Sequence, residues 1–301
     1  MSLLNKTVKQ IYKSLLLFYR KTVGLFTCYS AKECKDVFVR YMNSKANDIG
    51  ANTACFCDAS GFASRNAKAS AKDMLHILVH AAGITQISEI WNKKEYRMHV
   101  KGINDRQITI STTCKSDHYD NAKYPILGIK TGTVPDAIYN LMWCTRLRGQ
   151  ILACVSMGAS DDNSRWIDAM KILECVDKED KSLLLEVNSP AVAVCLLPSN
   201  PIMFDNIDLE LLLDKNSDAL IAPASLTKVM SLICASDFID DYHEKVKIVK
   251  SDIVRGSGNN LRRGDVVTVK DLFYDMLLPS SNTAATALSR HIGKKILKSQ
   301  S

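Results

Sequence analysis

The sequence lacks any long hydrophobic run: no stretch of about 18 uninterrupted apolar residues occurs, so it predicts no ordinary transmembrane helix. It also lacks internal repeats and low-complexity segments, which argues against repeat architectures and compositionally biased linkers. What it has is a balanced composition, with 47% hydrophobic and 24% charged residues in a chain of 301. This length and balance predict a globular protein with one large or two small domains and a full core.

Zinc-ligand spacing is absent as well, although the chain contains ten cysteines. None forms a C-x-x-C pair; the closest two are Cys55 and Cys57, and several others lie in apolar runs. Free cysteines in such runs behave as small core residues, so the sequence argues against an exported disulfide scaffold and favours a reducing compartment or an anaerobic source. His76 and His80 are four residues apart, but no third ligand is evident, so we assign them a structural role.

The charge balance is basic, with a formal net charge of +7. Such a balance favours acidic partners, among them an anionic wall polymer, a membrane surface or nucleic acid, although a solvated basic surface is the simpler explanation. Residues 1–30 form a separate N-terminal extension in our interpretation. Its lysines precede the apolar residues 15–18, as in a secretory leader, but residues 19–21 interrupt that run. We favour a basic amphipathic helix that lies on the protein or makes peripheral contact with a membrane.

Ser225 and Lys228 begin the most informative segment of the chain. Pro223 precedes them, as is common at a helix start, and the apolar residues that follow recur at helical spacing. Residues three apart on a helix lie on the same side, so the hydroxyl and the amine are predicted to point into one place. A serine needs a base to become a good nucleophile, and a lysine with a lowered pKa can be that base.

Periodicity and turn residues give a coarse secondary structure around this segment. Strands are predicted near 138–145 and 151–157, joined in a hairpin at Arg148-Gly149. A helix near 163–175 and a strand near 190–197 follow. Short strands are also predicted around His99 and Ile108.

Two further motifs accompany the serine and the lysine. Ser280-Ser281-Asn282 and Lys130-Thr131-Gly132 match the S-x-N and K-T-G companions of S-x-x-K in penicillin-recognising enzymes. Taken singly, the first is a good helix cap and the second a common turn tripeptide. Their joint presence favours a functional interpretation.

The chain resembles the D-alanyl-D-alanine carboxypeptidases, the low-molecular-mass penicillin-binding proteins of the serine β-lactamase-like superfamily. The resemblance covers nearly everything after residue 31 and implies an α/β fold of the α+β type. In that fold an antiparallel sheet is flanked by helices and accompanied by a helical subdomain. The segments around and between the motifs agree with the family pattern at 38–46, 58–61, 69–74, 223–230 and 276–285.

The order of the motifs departs from the family, where the nucleophile comes first and K-T-G last. We interpret residues 31–301 as one circularly permuted domain. Residues 31–177 correspond to the C-terminal part of the family, 178–189 form a linker, and 190–301 correspond to the N-terminal part. The alternatives are a fragment of two tandem modules, a misassembled gene, or a swapped oligomer in which Ser225 of one chain meets Lys130 of another.

The resemblance implies a role for each motif. Ser225 would attack the carbonyl of the penultimate D-alanine to form an acyl-enzyme, and Lys228 would accept its proton. Ser280 would relay a proton to the leaving amine, and Asn282 would hold the substrate amide. Asp58 and Asp73 are expected to be structural.

The K-T-G segment and an arginine would bind the substrate. Lys130 would supply positive charge to the relay and to the terminal carboxylate, and Thr131 would hydrogen-bond that carboxylate. The strand through Gly132 would pair with the peptide, and the backbone N–H groups of Thr133 and the nucleophile would form the oxyanion hole. Arg165 aligns with a family arginine that helps to bind the carboxylate.

These implications lead to a serine-type carboxypeptidase that acts on peptidoglycan stem peptides ending in D-Ala-D-Ala, is inhibited by β-lactams, and works outside the cytoplasm. No metal, organic cofactor or nucleic acid is implied. A β-lactamase is the first alternative, but no E-x-x-L-N pattern for a deacylating base occurs between Ser30 and Lys130. The second alternative is a non-catalytic scaffold that binds wall peptides. Thr133-Val134 replace the usual Tyr or His followed by Thr, which leaves the substrate preference open.

Overall fold

The computed structural model describes residues 29–62, 66–114, 119–135, 137–198 and 209–300. The predicted basic amphipathic helix near residues 5–27 lies outside these residues. Within the described ranges, no helix combines the length and the apolar character needed to cross a membrane.

A five-stranded antiparallel sheet forms the centre of the fold, in the order β3-β4-β5-β6-β7. The predicted hairpin is confirmed: β4 and β5 are joined at Arg148-Gly149, where both residues have positive φ (48° and 81°). The strand predicted near 190–197 is β6, and the K-T-G motif lies on the edge strand β3. The strands are β3 (Ile126–Val134), β4 (Ile138–Leu147), β5 (Gln150–Ala159), β6 (Ala191–Leu196) and β7 (Leu211–Lys215).

Helices cover both faces of this sheet. Three of them begin at a capping box, in which Ser30, Ser70 or Thr268 and the acidic side chain three residues later bind each other's backbone N–H groups. The helix predicted near 163–175 is confirmed as α4. The helices are α1 (Ala31–Asp48), α2 (Ala71–Ala82), α3 (Thr85–Ser88), α4 (Asp162–Lys178), α5 (Thr227–Ser236), α6 (Val269–Leu277) and α7 (Asn282–Ser299).

Side chains of the central strand, β5, alternate between the two faces of the sheet, and the core is accordingly divided into two clusters. Ala153 and Val155 of β5 face the cluster formed with α2, α5, α6 and α7, whereas Leu152 and Cys154 face the cluster formed with α4. Successive strand side chains point to opposite faces of the sheet. Because β5 is buried on both faces, its sequence is a nearly continuous apolar run. The predicted α/β fold, an antiparallel sheet flanked by helices, is therefore confirmed.

A smaller sheet joins the early and late parts of the chain. It has the order β2-β1-β9-β8, in which β1 pairs antiparallel with both β2 and β9. The Arg106 guanidinium on β2 binds the fully buried Asp265 carboxylate on β9 at 2.9 Å. This ion pair links the two strands that lie on either side of β1. The strands predicted around His99 and Ile108 are confirmed. The members are β1 (Glu95–Gly102), β2 (Arg106–Ser111), β8 (Lys245–Lys247) and β9 (Asp265–Thr268).

Candidate active site

The predicted nucleophile lies in a turn just ahead of α5. Ser225 belongs to the 3-10 turn Ala224–Leu226, whereas the sequence predicted that it would open the α-helix itself. Ala224 has a left-handed φ of 49°, and Gly61 packs so closely that a Cβ there would lie 1.9 Å from the Ala224 carbonyl oxygen. Tertiary packing therefore holds a conformation that alanine seldom adopts, and the Ser225 side chain stays half-buried.

The Lys228 amine has three hydrogen-bond partners inside the protein. Its Nζ lies 2.8 Å from Ser225 Oγ, 2.9 Å from the Ser60 carbonyl oxygen and 2.9 Å from Asn282 Oδ1. The last two are oxygens that can only accept, and a neutral amine has two N–H groups and one lone pair. With both N–H groups donated to Ser60 and Asn282, the lone pair faces the Ser225 hydroxyl and can accept its proton.

Electrostatics favours this neutral form. Lys228 is 0% exposed, and burial holds its pKa well below the usual lysine value. The nearby charge of Lys130 lowers the pKa further, and the carboxylate of Asp58 partly opposes both effects. Burial and the charge of Lys130 therefore both favour the uncharged form of the Lys228 amine.

Lys130 approaches the same cleft from the edge of the sheet. It is also fully buried, and its Nζ donates to the Thr131 carbonyl oxygen at 2.8 Å and to Ser280 Oγ at 3.0 Å. Burial lowers its pKa to about 8; Cys114 acts in the opposite direction, and Arg165 lowers the value further. Since about 8 is still above neutrality, Lys130 is mainly protonated at pH 7.

A strained bend places the S-x-N motif against both lysines. Ser280, between α6 and α7, has a left-handed φ of 62°, a conformation that costs a non-glycine residue about 1–3 kcal/mol. The backbone N–H of Ser281 donates to the Asp275 carbonyl oxygen at 2.8 Å, and its hydroxyl accepts from Ala284 N at 3.2 Å as the cap of α7. The bend thereby presents Ser280 to one lysine and Asn282 to the other.

The Asn282 amide is bound to protein at both ends. Its Oδ1 accepts from Lys228, and its Nδ2 donates to the Arg255 carbonyl oxygen at 3.1 Å. Each end retains capacity for one more hydrogen bond. The structure thus shows that Asn282 binds and orients the Lys228 amine. The expected contact of Asn282 with a substrate amide stays a prediction.

The glycine of K-T-G is where β3 contacts the nucleophile turn. A Cβ on Gly132 would lie 2.7 Å from the Pro223 carbonyl oxygen and 3.2 Å from Leu226 N. Any side chain there would push the strand away, which explains why this motif needs glycine. The fully buried Asn140 on β4 reinforces the contact, because its Nδ2 donates to the Ala222 carbonyl oxygen at 2.9 Å.

Arg165 reaches the same strand from α4. Its Nη1 donates to Thr133 Oγ1 at 3.0 Å, and its Nη2 pairs with the Asp162 carboxylate. The residue is only 6% exposed, and among the described residues its Nε has no hydrogen-bond partner. Thr131 is buried beside Lys130, whereas Thr133 is exposed. The structure therefore brings Arg165 to the K-T-G strand, and its expected role in binding a substrate carboxylate stays a prediction.

One chain supplies all of these groups. The segments near 130, 165, 225 and 280 converge although they are far apart in sequence, so no second copy is needed to join Lys130 to the serines. Sequence reasoning missed the Ser60 carbonyl, because a backbone oxygen leaves no side-chain signal. Its only trace was the turn-like segment 58–61.

The metal interpretation of the two histidines finds no support. His76 and His80 are buried in α2. Within the described ranges, no three His, Cys, Asp or Glu side chains are grouped so as to hold a metal ion.

A sheet flanked by helices, with a serine–lysine pair at their junction, is the arrangement of a class of serine hydrolases in which lysine takes the place of histidine as the base. The model of the D-alanyl-D-alanine carboxypeptidase family matches residues 21–161 and 199–295, which is more than half of the chain, so the chain belongs to that family.

A curated relative agrees with this membership over a short region. D-alanyl-D-alanine carboxypeptidase DacF of Bacillus subtilis (strain 168) is 34% identical over 92 residues, which cover 28% of this chain and 23% of that relative. The match therefore spans less than a quarter of the length of DacF. No solved structure matches the chain.

Proposed function

We propose that the protein is a serine D-alanyl-D-alanine carboxypeptidase that acts on peptidoglycan stem peptides through an acyl-enzyme. One observation carries the proposal: the Lys228 amine is held by two carbonyl oxygens at 2.9 Å so that its remaining position faces the Ser225 hydroxyl at 2.8 Å. Membership of the carboxypeptidase family supports the choice of substrate class. The same site would bind penicillins, whose strained amide presents a similar carbonyl to the serine.

In the acylation step, Lys228 accepts the Ser225 proton while Ser225 Oγ attacks the carbonyl of the penultimate D-alanine. The oxyanion that forms is held by the backbone N–H groups of Ser225 and Thr133. The C–N bond then breaks as the leaving D-alanine amine takes a proton from Lys130 through Ser280, whose hydroxyl lies 3.0 Å from the Lys130 amine. In hydrolysis, water attacks the ester and its proton returns through Ser280 to Lys130. The ester C–O bond breaks as Lys228 gives its proton back to Ser225 Oγ.

The terminal carboxylate of the substrate would lie among the groups at the K-T-G strand. Lys130 supplies a buried positive charge, Thr131 a hydroxyl, and Arg165 a guanidinium that already donates to Thr133. β3 is the edge strand of its sheet, so an extended peptide can pair with it as an added strand.

Labelling with a fluorescent penicillin tests the proposal. The wild-type protein and the Ser225→Ala and Ser236→Ala variants are compared; Ser236 lies at the far end of α5 and is the matched control. Label retention and release of D-alanine from a D-Ala-D-Ala stem peptide are followed together. Stable labelling and D-alanine release in the wild type and in Ser236→Ala, but not in Ser225→Ala, support the carboxypeptidase. Rapid loss of label indicates a β-lactamase, and no labelling of folded protein indicates a non-catalytic scaffold.

We also propose that the motif order is a circular permutation within residues 31–301. The support is the proximity of two points that the family order would connect: the Tyr29 hydroxyl donates to the Leu297 carbonyl oxygen at 3.0 Å, beside the end of α7. A rearranged gene that places 190–301 ahead of 31–177 tests this idea. It should give folded protein with Ser225-dependent penicillin labelling, whereas insoluble or unlabelled protein contradicts the permutation.

The location follows from the substrate. Peptidoglycan stem peptides lie outside the cytoplasm, so we propose an extracytoplasmic site of action. Fractionation of cells that produce the protein tests this, and recovery of all folded protein in the cytoplasm contradicts it.

A further inference from the structure

Asp58 organises the loop that carries the Ser60 carbonyl. Its Oδ1 accepts three hydrogen bonds at 2.7 Å, from the Ser60 backbone N–H, the Ser60 hydroxyl and the Gly61 backbone N–H. These bonds close the turn 58–61 on itself and leave the Ser60 carbonyl directed at Lys228 Nζ, 2.9 Å away. The carboxylate thereby fixes one of the two acceptors that hold the lysine amine.

The other oxygen of the Asp58 carboxylate takes no part in the hydrogen bonds of the turn. Asp58 Oδ2 is buried and has no hydrogen-bond partner among the described residues. A buried, unpartnered carboxylate oxygen is costly unless a positive charge compensates it. Two charges act on the nearby amine from different elements: Lys130 on β3 lowers the pKa of Lys228, and Asp58 raises it.

A second aspartate shows what the turn alone requires. Asp180 repeats the local arrangement, since its Oδ1 accepts from the Ser182 backbone N–H at 2.9 Å and from the Ser182 hydroxyl at 2.6 Å. Asp180 is exposed and caps a 3-10 turn at Lys181–Glu186. Among the described residues, the lysine amine that donates to a carbonyl of that turn, from Lys171 to Glu186 at 3.0 Å, belongs to a partly exposed residue. The Asp-x-Ser turn therefore forms without a buried carboxylate oxygen, and the burial at Asp58 needs another explanation.

We propose that Asp58 is a positioning residue for acylation: it fixes the Ser60 carbonyl on Lys228 and faces the ammonium that forms when Lys228 takes the Ser225 proton. The inference rests on the proposed function. That ammonium arises in a buried site beside the positive Lys130, so without a compensating negative charge the proton transfer becomes less favourable. Asp58 thus keeps Lys228 basic enough to act, while burial keeps it uncharged before the reaction.

The pH dependence of penicillin acylation tests this role in the full-length chain. Asp58→Asn keeps an acceptor for the turn but removes the charge, Asp58→Ala removes both, and Asp180→Asn is the matched control. Because Lys228 must be neutral to react, its pKa sets the midpoint of the acid limb of the pH–rate profile. In Asp58→Asn this midpoint should move to lower pH, because a negative charge near Lys228 is lost. The plateau rate should fall about tenfold or more, because Lys228 is then a weaker base. Asp180→Asn should leave the midpoint in place.

A purely structural role gives a different result. In that case Asp58→Asn would lower the melting temperature and the amount of active protein but leave the midpoint unchanged, and this outcome overturns the proposal. A titration of the Lys228 side chain by NMR, in the wild type and in Asp58→Asn, separates this proposal from the proposed function. If the wild type is not labelled by penicillin, the carboxypeptidase assignment fails. The coupling of Asp58 to Lys228 is then judged by the NMR titrations alone, and it fails if the two lysine titrations coincide.

Discussion

Lys228 and Lys130 are both fully buried in one cleft, yet they belong to segments of different kinds. Lys228 lies on α5, just after a strained turn, and its amine meets two carbonyl oxygens and a hydroxyl. Lys130 lies on the edge strand β3, and its amine meets one carbonyl oxygen and the hydroxyl of Ser280. The first arrangement leaves the lone pair of the Lys228 amine aimed at the Ser225 hydroxyl, whereas the second suits an ammonium that donates to Ser280.

The two environments also separate the charges of the lysines. Burial lowers both pKa values, that of Lys130 to about 8 and that of Lys228 well below its usual value, and the charge of Lys130 lowers the pKa of Lys228 further. Two buried cations this close repel each other, so the site favours one charge over two. Enzymes commonly obtain a base and an acid from one residue type in this way, by giving the two copies different surroundings.

The largest expected effect comes from fixing the charge of each lysine in turn. Arginine stays protonated at all working pH values, so Lys228→Arg cannot accept the Ser225 proton, and penicillin acylation should fall about 10³–10⁴-fold. Lys130→Arg keeps the positive charge and should lose only about 10–10²-fold through its larger bulk. Stopped-flow acylation rates measure both losses. Equal losses in the two variants would show that the lysines do not differ in role.

A smaller effect is expected where the two segments touch. Gly132→Ala places a Cβ 2.7 Å from the Pro223 carbonyl oxygen, and we expect a destabilisation of about 1–3 kcal/mol together with slower acylation. Gly149→Ala is the control, because nothing lies within 4 Å of that added Cβ although φ is +81°. It should lower the melting temperature through backbone strain while the acylation of the folded protein stays at the wild-type rate. Normal acylation by folded Gly132→Ala would argue against the close contact.

The pH–rate profile should show the two lysines as two limbs. Acylation rises with pH as Lys228 loses its proton, and it falls as pH passes about 8, where Lys130 loses its own. On each limb, once the pH is past the midpoint, the rate changes about tenfold per pH unit. In Lys130→Arg the falling limb should move to higher pH while the rising limb remains. A falling limb that does not move would assign it to another group.

The smallest effect is expected at the rim of the site. Arg165→Ala removes the guanidinium that donates to Thr133 and that we propose binds the substrate carboxylate. Because Lys130 would still face that carboxylate, we expect KM to rise about tenfold with little change in kcat. Arg148→Ala, on the distant β4–β5 turn, is the matched control and should leave KM unchanged. Steady-state kinetics with a D-Ala-D-Ala peptide measures both values. An unchanged KM in Arg165→Ala would remove this residue from the proposed binding site.

The sequence was most informative where local pattern and packing agree. Alternation and turn residues located the β4–β5 hairpin, and helical spacing located α4. The motif spacing correctly placed the side chains of Ser225 and Lys228 together, although the serine lies in a 3-10 turn. The roles of these residues stay predictions.

The remaining features could not be read from the sequence because distant contacts impose them. Ala224 and Ser280 both adopt left-handed backbone conformations without being glycine, and neighbouring segments hold them there. The Ser60 carbonyl acts through the backbone, which no side-chain pattern reveals. Asp58 was expected to be structural, because its distinguishing property, a buried second oxygen, exists only in the folded chain.

The protonation states of the two buried lysines can be measured by an NMR titration of the protein labelled with ¹³C at lysine Cε, with the two resonances assigned by their loss in Lys228→Arg and Lys130→Arg. At pH 7 we expect a neutral amine at Lys228 and an ammonium at Lys130 that titrates near pH 8. Two ammonium groups at pH 7, both titrating in the ordinary lysine range, would contradict it.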